Sequence, residues 1–137
     1  MNPSTHLAAA HAQLQHLVAR FANSLDLKDW PGLGACLADA IHTDYSDLRG
    51  TAPETVTRDS FVAFRQSGLS TRDTHHLTGN VQLAVSGAEA EIVASMLVYI
   101  REPDRTTQLV HCVYFMAAEC QAGAWRIHRI RQQLLLK

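Results

Sequence analysis

Two polar clusters in this chain carry side chains suited to proton transfer. One is Asp73-Thr74-His75-His76-Leu77-Thr78-Gly79-Asn80, the other is Asp26-Leu27-Lys28-Asp29-Trp30, and Asp44-Tyr45 lies between them. Histidine takes and gives protons near neutral pH. A carboxylate on one ring nitrogen sets the tautomer and frees the other nitrogen to act as base or acid, a contribution on the order of 10²–10⁴-fold in rate. Such a pair suits removal of a proton next to a carbonyl, followed by loss of a β-hydroxyl or by reprotonation elsewhere. A tyrosine hydroxyl would stabilise the enolate formed. The plainer alternative is a core histidine satisfied by a structural carboxylate, with Asp26 a polar residue in a joining turn. Neighbours on a strand point to opposite faces, so only one of His75 and His76 can enter a pocket. No metal is expected, because HxH, HxxxH and His/Cys ligand spacings are absent.

The elements that must position these groups follow from periodicity. After Pro3-Ser4-Thr5, with Ser4 or Thr5 as N-cap, Leu7, His11, Leu14, Leu17, Val18, Phe21 and Leu25 recur on one helical face. Asp26 falls where this helix should finish, a position that opposes the macrodipole. Asp29 or Trp30 caps a short second helix with Pro31 in its first turn. Residues 41–45 alternate as a short strand, and 47–54 read as a loop. Thr57 or Asp59 caps a third helix that buries Phe61, Val62, Phe64 and Leu69.

From residue 73 the texture changes to four strand-like runs, roughly 74–86, 89–101, 107–120 and 124–135, separated by Gly- and Pro-containing turns. Helices followed by a meander predict an α+β domain with helices on one face of an antiparallel sheet. His76, Thr78 and Asn80 fall on one side of the first run, and Val81, Leu83 and Val85 on the other. If both sets face the core, a bulge must break the alternation near Gly79 and bend the sheet. The second and third runs are apolar on both faces, which predicts a homodimer or homotrimer formed through the outer face, with His111 at that interface.

The totals fit one domain over residues 1–137, with 47% hydrophobic and 18% charged residues. A net charge of −1 argues against nucleic acid and anionic membranes as partners. No signal peptide or membrane helix is evident, and the three cysteines, Cys36, Cys112 and Cys120, suggest no disulfide framework. A cytoplasmic location is the expectation.

In order and spacing the chain resembles the NTF2-like cone fold over roughly 7–131, and within it the SnoaL-like group that includes scytalone dehydratase. Asp26-Leu27-Lys28-Asp29-Trp30 resembles the family's Asp-x-x-Asp-Trp segment. Thr43-Asp44-Tyr45 resembles its Asp-Tyr at the end of the first short strand. Thr74-His75-His76-Leu77-Thr78-Gly79 is similar to Thr-Gln-His-Phe-Ile-Gly, and Gly123-Ala124-Trp125-Arg126-Ile127 to the motif of the last strand. The resemblance implies three helices packed on a strongly bent antiparallel sheet. It also implies that Asp26 and His76 form the carboxylate–imidazole pair, while Tyr45 polarises a substrate carbonyl.

The departures are informative. The dehydratase's second pocket histidine has no counterpart in 96–101, a pocket tyrosine is replaced by Leu25, and a Ser and an Asn become Cys112 and Tyr114. Phe21 stands near the oxyanion tyrosine of ketosteroid isomerases, and the Asp-Arg-Asp set of limonene epoxide hydrolases is absent. These changes predict a greasier pocket, walled by Phe21, Phe64, Met96, Cys112 and Tyr114, for a small hydrophobic cyclic carbonyl compound. The expected function is a cofactor-independent lyase or isomerase of dehydratase type. The alternative is a non-catalytic ligand-binding or assembly protein, as the β subunits of ring-hydroxylating dioxygenases are on this fold.

Overall fold

The computed structural model describes residues 2–137. Helix α1 (Pro3–Asp26) is followed by α2 (Trp30–Ala35), strand β1 (Leu37–Asp44), the one-turn α3 (Ser46–Arg49), β2 (Glu54–Thr57) and α4 (Arg58–Gly68). The remainder is a meander of β3 (Asp73–Ser86), β4 (Glu89–Arg101), β5 (Thr107–Gln121) and β6 (Ala124–Leu134). Together the strands form one sheet in the order β2-β1-β6-β5-β4-β3. All pairings are antiparallel except β1 with β6, which run parallel. The helices pack against the concave side. Among the described residues no helix is long and apolar enough to cross a membrane.

Local chemistry sets the helix ends. Asn2, rather than Ser4 or Thr5, caps α1: its Oδ1 accepts from the Thr5 N–H at 2.9 Å, with Pro in the first turn. Asp29 caps α2 through the Gly32 N–H at 3.0 Å, and Thr57 caps α4 through the Ser60 N–H at 3.1 Å. Leu14, Val18, Phe21 and Leu25 are buried along α1, whereas Leu7, expected on the same stripe, is exposed.

Of the sheet's three register irregularities, one lies between β1 and β6, in the stretch from Leu37 to His42, and two lie in the meander. The β3–β4 register slips between Gly79 and Gln82, and Asn80 adopts φ +48°, a left-handed conformation that asparagine tolerates. Thr74, His76 and Thr78 precede this bulge on the more buried side of β3, and Val81, Leu83 and Val85 follow it there. The bulge thus falls one residue past Gly79; His76, Thr78 and the three apolar residues face inward as expected, whereas Asn80, expected on the same side as His76, sits in the bulge and is exposed. A second slip, between Ala117 and Ala118 opposite β6, keeps Ile127 and Ile130 both buried.

The segment read as a loop, 47–54, contains structure of its own. Asp44 Oδ1 accepts from the Ser46 N–H at 3.0 Å and from the Ser46 hydroxyl at 2.6 Å, which starts the α3 turn. Asp47 then ties α3 to the end of β6, accepting from the Leu134 N–H at 2.6 Å and from Lys137 Nζ at 2.9 Å. This anchoring holds Tyr45 and Arg49 over the concave face.

Candidate functional site

Asp26 ends α1, where its carboxylate meets the negative end of the helix dipole. Contacts from outside the helix hold it. Thr74 Oγ1 donates to Oδ1 at 3.0 Å, the His76 backbone N–H donates to Oδ2 at 2.8 Å, and His76 Nδ1 lies 2.6 Å from Oδ1. β3 is an edge strand, and Asp26 satisfies a backbone N–H that no neighbouring strand takes. Facing an ionised carboxylate, which only accepts, a neutral imidazole carries its proton on Nδ1 and presents a lone pair at Nε2. The side chains of His76 and Asp26 are 8% and 13% exposed. His75, one residue earlier, is exposed on the opposite face.

His76 lines a cavity of about 280 Å³ between the bent sheet and the helices. Its sheet side is built from Thr74, His76, Val98, Ile100, Val110 and Tyr114. Register explains the row: His76 pairs with Val98, Val98 with Val110, and Thr74 with Ile100. Leu25, Tyr45, Arg49, Arg65 and Leu69 close the helix side, and Arg72 is neutralised by Glu102 at 2.9 Å.

Among the described residues, three buried side-chain polar atoms lack a hydrogen-bond partner: Tyr45 OH, Arg65 Nε and Gln132 Oε1. All three residues line this cavity. An unmet buried polar atom costs roughly 1–3 kcal/mol, so their concentration around one cavity sets this part of the core apart from the rest. Tyr114 sits edge-on to Tyr45 at 6.3 Å, and burial pushes its hydroxyl well above the usual phenol range, keeping it protonated. Its oxygen accepts from Gln132 Nε2 at 3.4 Å.

Tyr45 and Tyr114 line the cavity, but the other expected walls lie elsewhere. Phe21 is fully buried one layer behind, edge-on to Tyr114 at 6.4 Å. Met96 and Cys112 pair with each other in the sheet and are buried in the core beyond the cavity. Phe64 is 62% exposed and lines a neighbouring cavity. The expectation of a greasier pocket is corrected, because Arg49, Arg65, Arg72, Glu102, Gln108 and Gln132 bring charge and amides to it. Arg65 was readable: it lies one helical turn after Phe61, within the stripe that should have been apolar. Arg49 was not, because the turn that carries it reads as loop.

Among the described residues, one group of three side chains brings possible metal-ligand atoms together, and it lies away from this cavity. Glu89, Glu119 and His128 hold such atoms within 4.8 Å of one another near the surface, and Glu89 already meets His128 at 3.2 Å.

Helices α1, α2 and α4 and the one-turn α3 on a curved six-stranded sheet, with a polar cavity on the concave side, define an NTF2-like α+β cone domain. The profile of the SnoaL-like domain matches residues 7–131, and the chain belongs to that family. It is 32% identical over 69 residues to a scytalone dehydratase-like protein, claB, of Passalora fulva; the match covers 50% of this chain and 38% of that protein's length. Among solved structures, Kfla4162 from Kribbella flavida superposes with a TM-score of 0.91 at 21% identity, covering 95% of this chain and 93% of its own. A type 2 hexachlorocyclohexane dehydrochlorinase, LinA, superposes with a TM-score of 0.84 at 16% identity, covering 97% and 90%. At these identities the structural likeness is one of fold.

Proposed function

We propose that the protein is a cofactor-independent lyase or isomerase in which His76 moves a proton on a cyclic carbonyl substrate. The observation that carries this reading is the Asp26–His76 pair at 2.6 Å on the wall of the cavity. A satisfied core histidine needs no cavity beside it. Dehydratase and dehydrochlorinase names among the relatives support elimination as the reaction type.

In this reading Nε2 of His76 takes a proton from the carbon next to the carbonyl. The electron pair moves into an enolate, which the unpartnered Tyr45 hydroxyl stabilises by hydrogen bonding. Collapse of the enolate expels a β-substituent; a departing hydroxyl takes the proton back from His76 and leaves as water. Return of the proton to another carbon gives isomerisation instead. Asp26 holds the imidazole tautomer and stabilises the imidazolium formed in between.

A screen of cyclic β-hydroxy ketones and their unsaturated isomers, read by thermal shift and then by turnover, tests this proposal. Turnover should fall by about 10²–10⁴-fold in His76→Ala. A substrate whose turnover survives that substitution would remove His76 from the role of base.

A further inference from the structure

The His76 cavity has a second chemical feature, opposite in sign to the greasy pocket expected from sequence. Arg49 comes from α3 and Arg65 from α4, yet both converge on Tyr45, with guanidinium carbons 4.6 and 4.5 Å from its ring centroid. Both line the His76 cavity, and both line the neighbouring cavity of about 290 Å³. Among the described residues, neither takes part in an ion pair of 4.0 Å or less. Arg72, the third arginine of the wall, is paired with Glu102. The difference is therefore specific to these two.

Two cations placed together in a partly desolvated site repel each other. Burial first, and then the charge of Arg65, push the Arg49 guanidinium below its usual value. The Tyr45 ring compensates in part, because an aromatic face attracts a cation. A ring face accepts none of a guanidinium's in-plane N–H groups, however; Arg65 Nε is buried with no partner, and the exposed Arg49 has no acceptor among the ion pairs described. What these forks lack is an anion with two coplanar oxygens. Behind them Leu25, Leu69, Val98, Ile100 and Val110 offer apolar surface continuous with His76.

We propose that the ligand of this cavity is a cyclic hydrophobic acid whose carboxylate is bound by Arg49 and Arg65, with its ring lying along Val98 and Val110 toward His76. The placement of the ring carbons at His76 rests on the proton-transfer reading above; the carboxylate site does not. Arg49 and Arg65 thus decide specificity and touch no reacting atom.

The two readings separate in a binding experiment on the full chain with 2-naphthoate and its neutral counterpart 2-naphthamide, measured by calorimetry. Wild type should bind the acid at least tenfold more tightly than the amide. Arg49→Gln and Arg65→Gln should each weaken the acid by about tenfold and leave the amide unchanged. His76→Ala should keep the preference for the acid even where turnover is lost. If Arg65→Gln fails to fold, Arg65→Lys, which keeps the charge and loses the fork, and the more exposed Arg49→Gln still read the site. Equal affinity for acid and amide, a preference that survives both Gln substitutions together, or no saturable binding of either probe at millimolar concentration would overturn the proposal.

Discussion

Asp26→Asn separates what the carboxylate does from what its shape does, and the structure sets the outcome. The carboxylate accepts at 2.6 Å and 3.0 Å on Oδ1 and at 2.8 Å on Oδ2, all from β3. An amide has one accepting atom and one donating atom in the same places. With its oxygen toward the ring, its NH₂ confronts the His76 backbone N–H and leaves a buried donor unmet. With its oxygen toward that N–H, its NH₂ faces the ring and Thr74. The hydroxyl can then turn to accept, and the imidazole can satisfy the amide by moving its proton from Nδ1 to Nε2. The second arrangement pairs every group, so it should prevail. Its cost is the exchange of charge-assisted bonds for neutral ones, partly offset by relief at the helix C-terminus, for a net loss of about 1–2 kcal/mol. With roughly 2.1 cal/mol/K of unfolding entropy per residue, a 137-residue chain loses about 3–4 °C per kcal/mol, so Tm should fall by about 4–7 °C. Long-range ¹H–¹⁵N correlation spectra should show His76 protonated at Nδ1 in wild type and at Nε2 in the variant. Nε2 then becomes a donor, and any turnover dependent on a base there should drop by about 10²–10⁴-fold. If the Asp26→Asn protein keeps the Nδ1 proton and an unchanged Tm, the claim that the carboxylate holds the ring is refuted.

Other outcomes test neighbouring parts of the fold. A Cβ at Gly32 would run into the Asp29 carboxylate that caps α2 and come within 3.0 Å of Ser24 Oγ. Gly32→Ala should therefore cost about 1–2 kcal/mol in denaturant unfolding, as the loss of a cap does. Burial pushes the Cys36 thiol up from 9.0 to about 11. The unfolded chain therefore ionises this thiol first, and the stabilisation, complete below pH 9.0, is lost as pH rises toward about 11. The loss should be roughly 3 kcal/mol, seen as a steeper decline in wild type than in Cys36→Ala. Leu77, Tyr99 and Leu109 are 55%, 47% and 42% exposed on the sheet. We propose that a second or third copy of the chain covers them, and sedimentation at micromolar concentration should give a dimer or trimer, not a monomer.

The legible features of this chain are those that local physics specifies. The α1 stripe from Leu14 to Leu25, the Asp29 and Thr57 caps, the meander after residue 73 and the turn at Gly87 follow from residue type and spacing. The bulge was legible because Val81, Leu83 and Val85 could join His76 and Thr78 on one face only if a residue was inserted, although Asn80, placed with them from sequence, proved to be the exposed residue of the bulge. The parallel pairing of β1 with β6 was not, since it joins segments far apart in the chain with no pattern local to either. Helix α3 was hidden for a different reason. Its turn is held by Asp44 and Asp47 side chains, and one of them bonds to residues near the far end of the chain.

The candidate site divides the same way. The types and motif positions of Asp26, His76 and Tyr45 are properties of the sequence, and a strand's alternation already dictated that one of His75 and His76 points inward. Tertiary structure alone decided that Asp26 also takes Thr74 and an edge-strand N–H, that Phe21, Met96 and Cys112 sit outside the cavity, and that Arg49 and Arg65 meet over Tyr45. The physical reason is that a cavity is bounded by elements whose separation depends on sheet curvature and on anchors between distant residues. Residue spacing along one helix or strand carries no record of either.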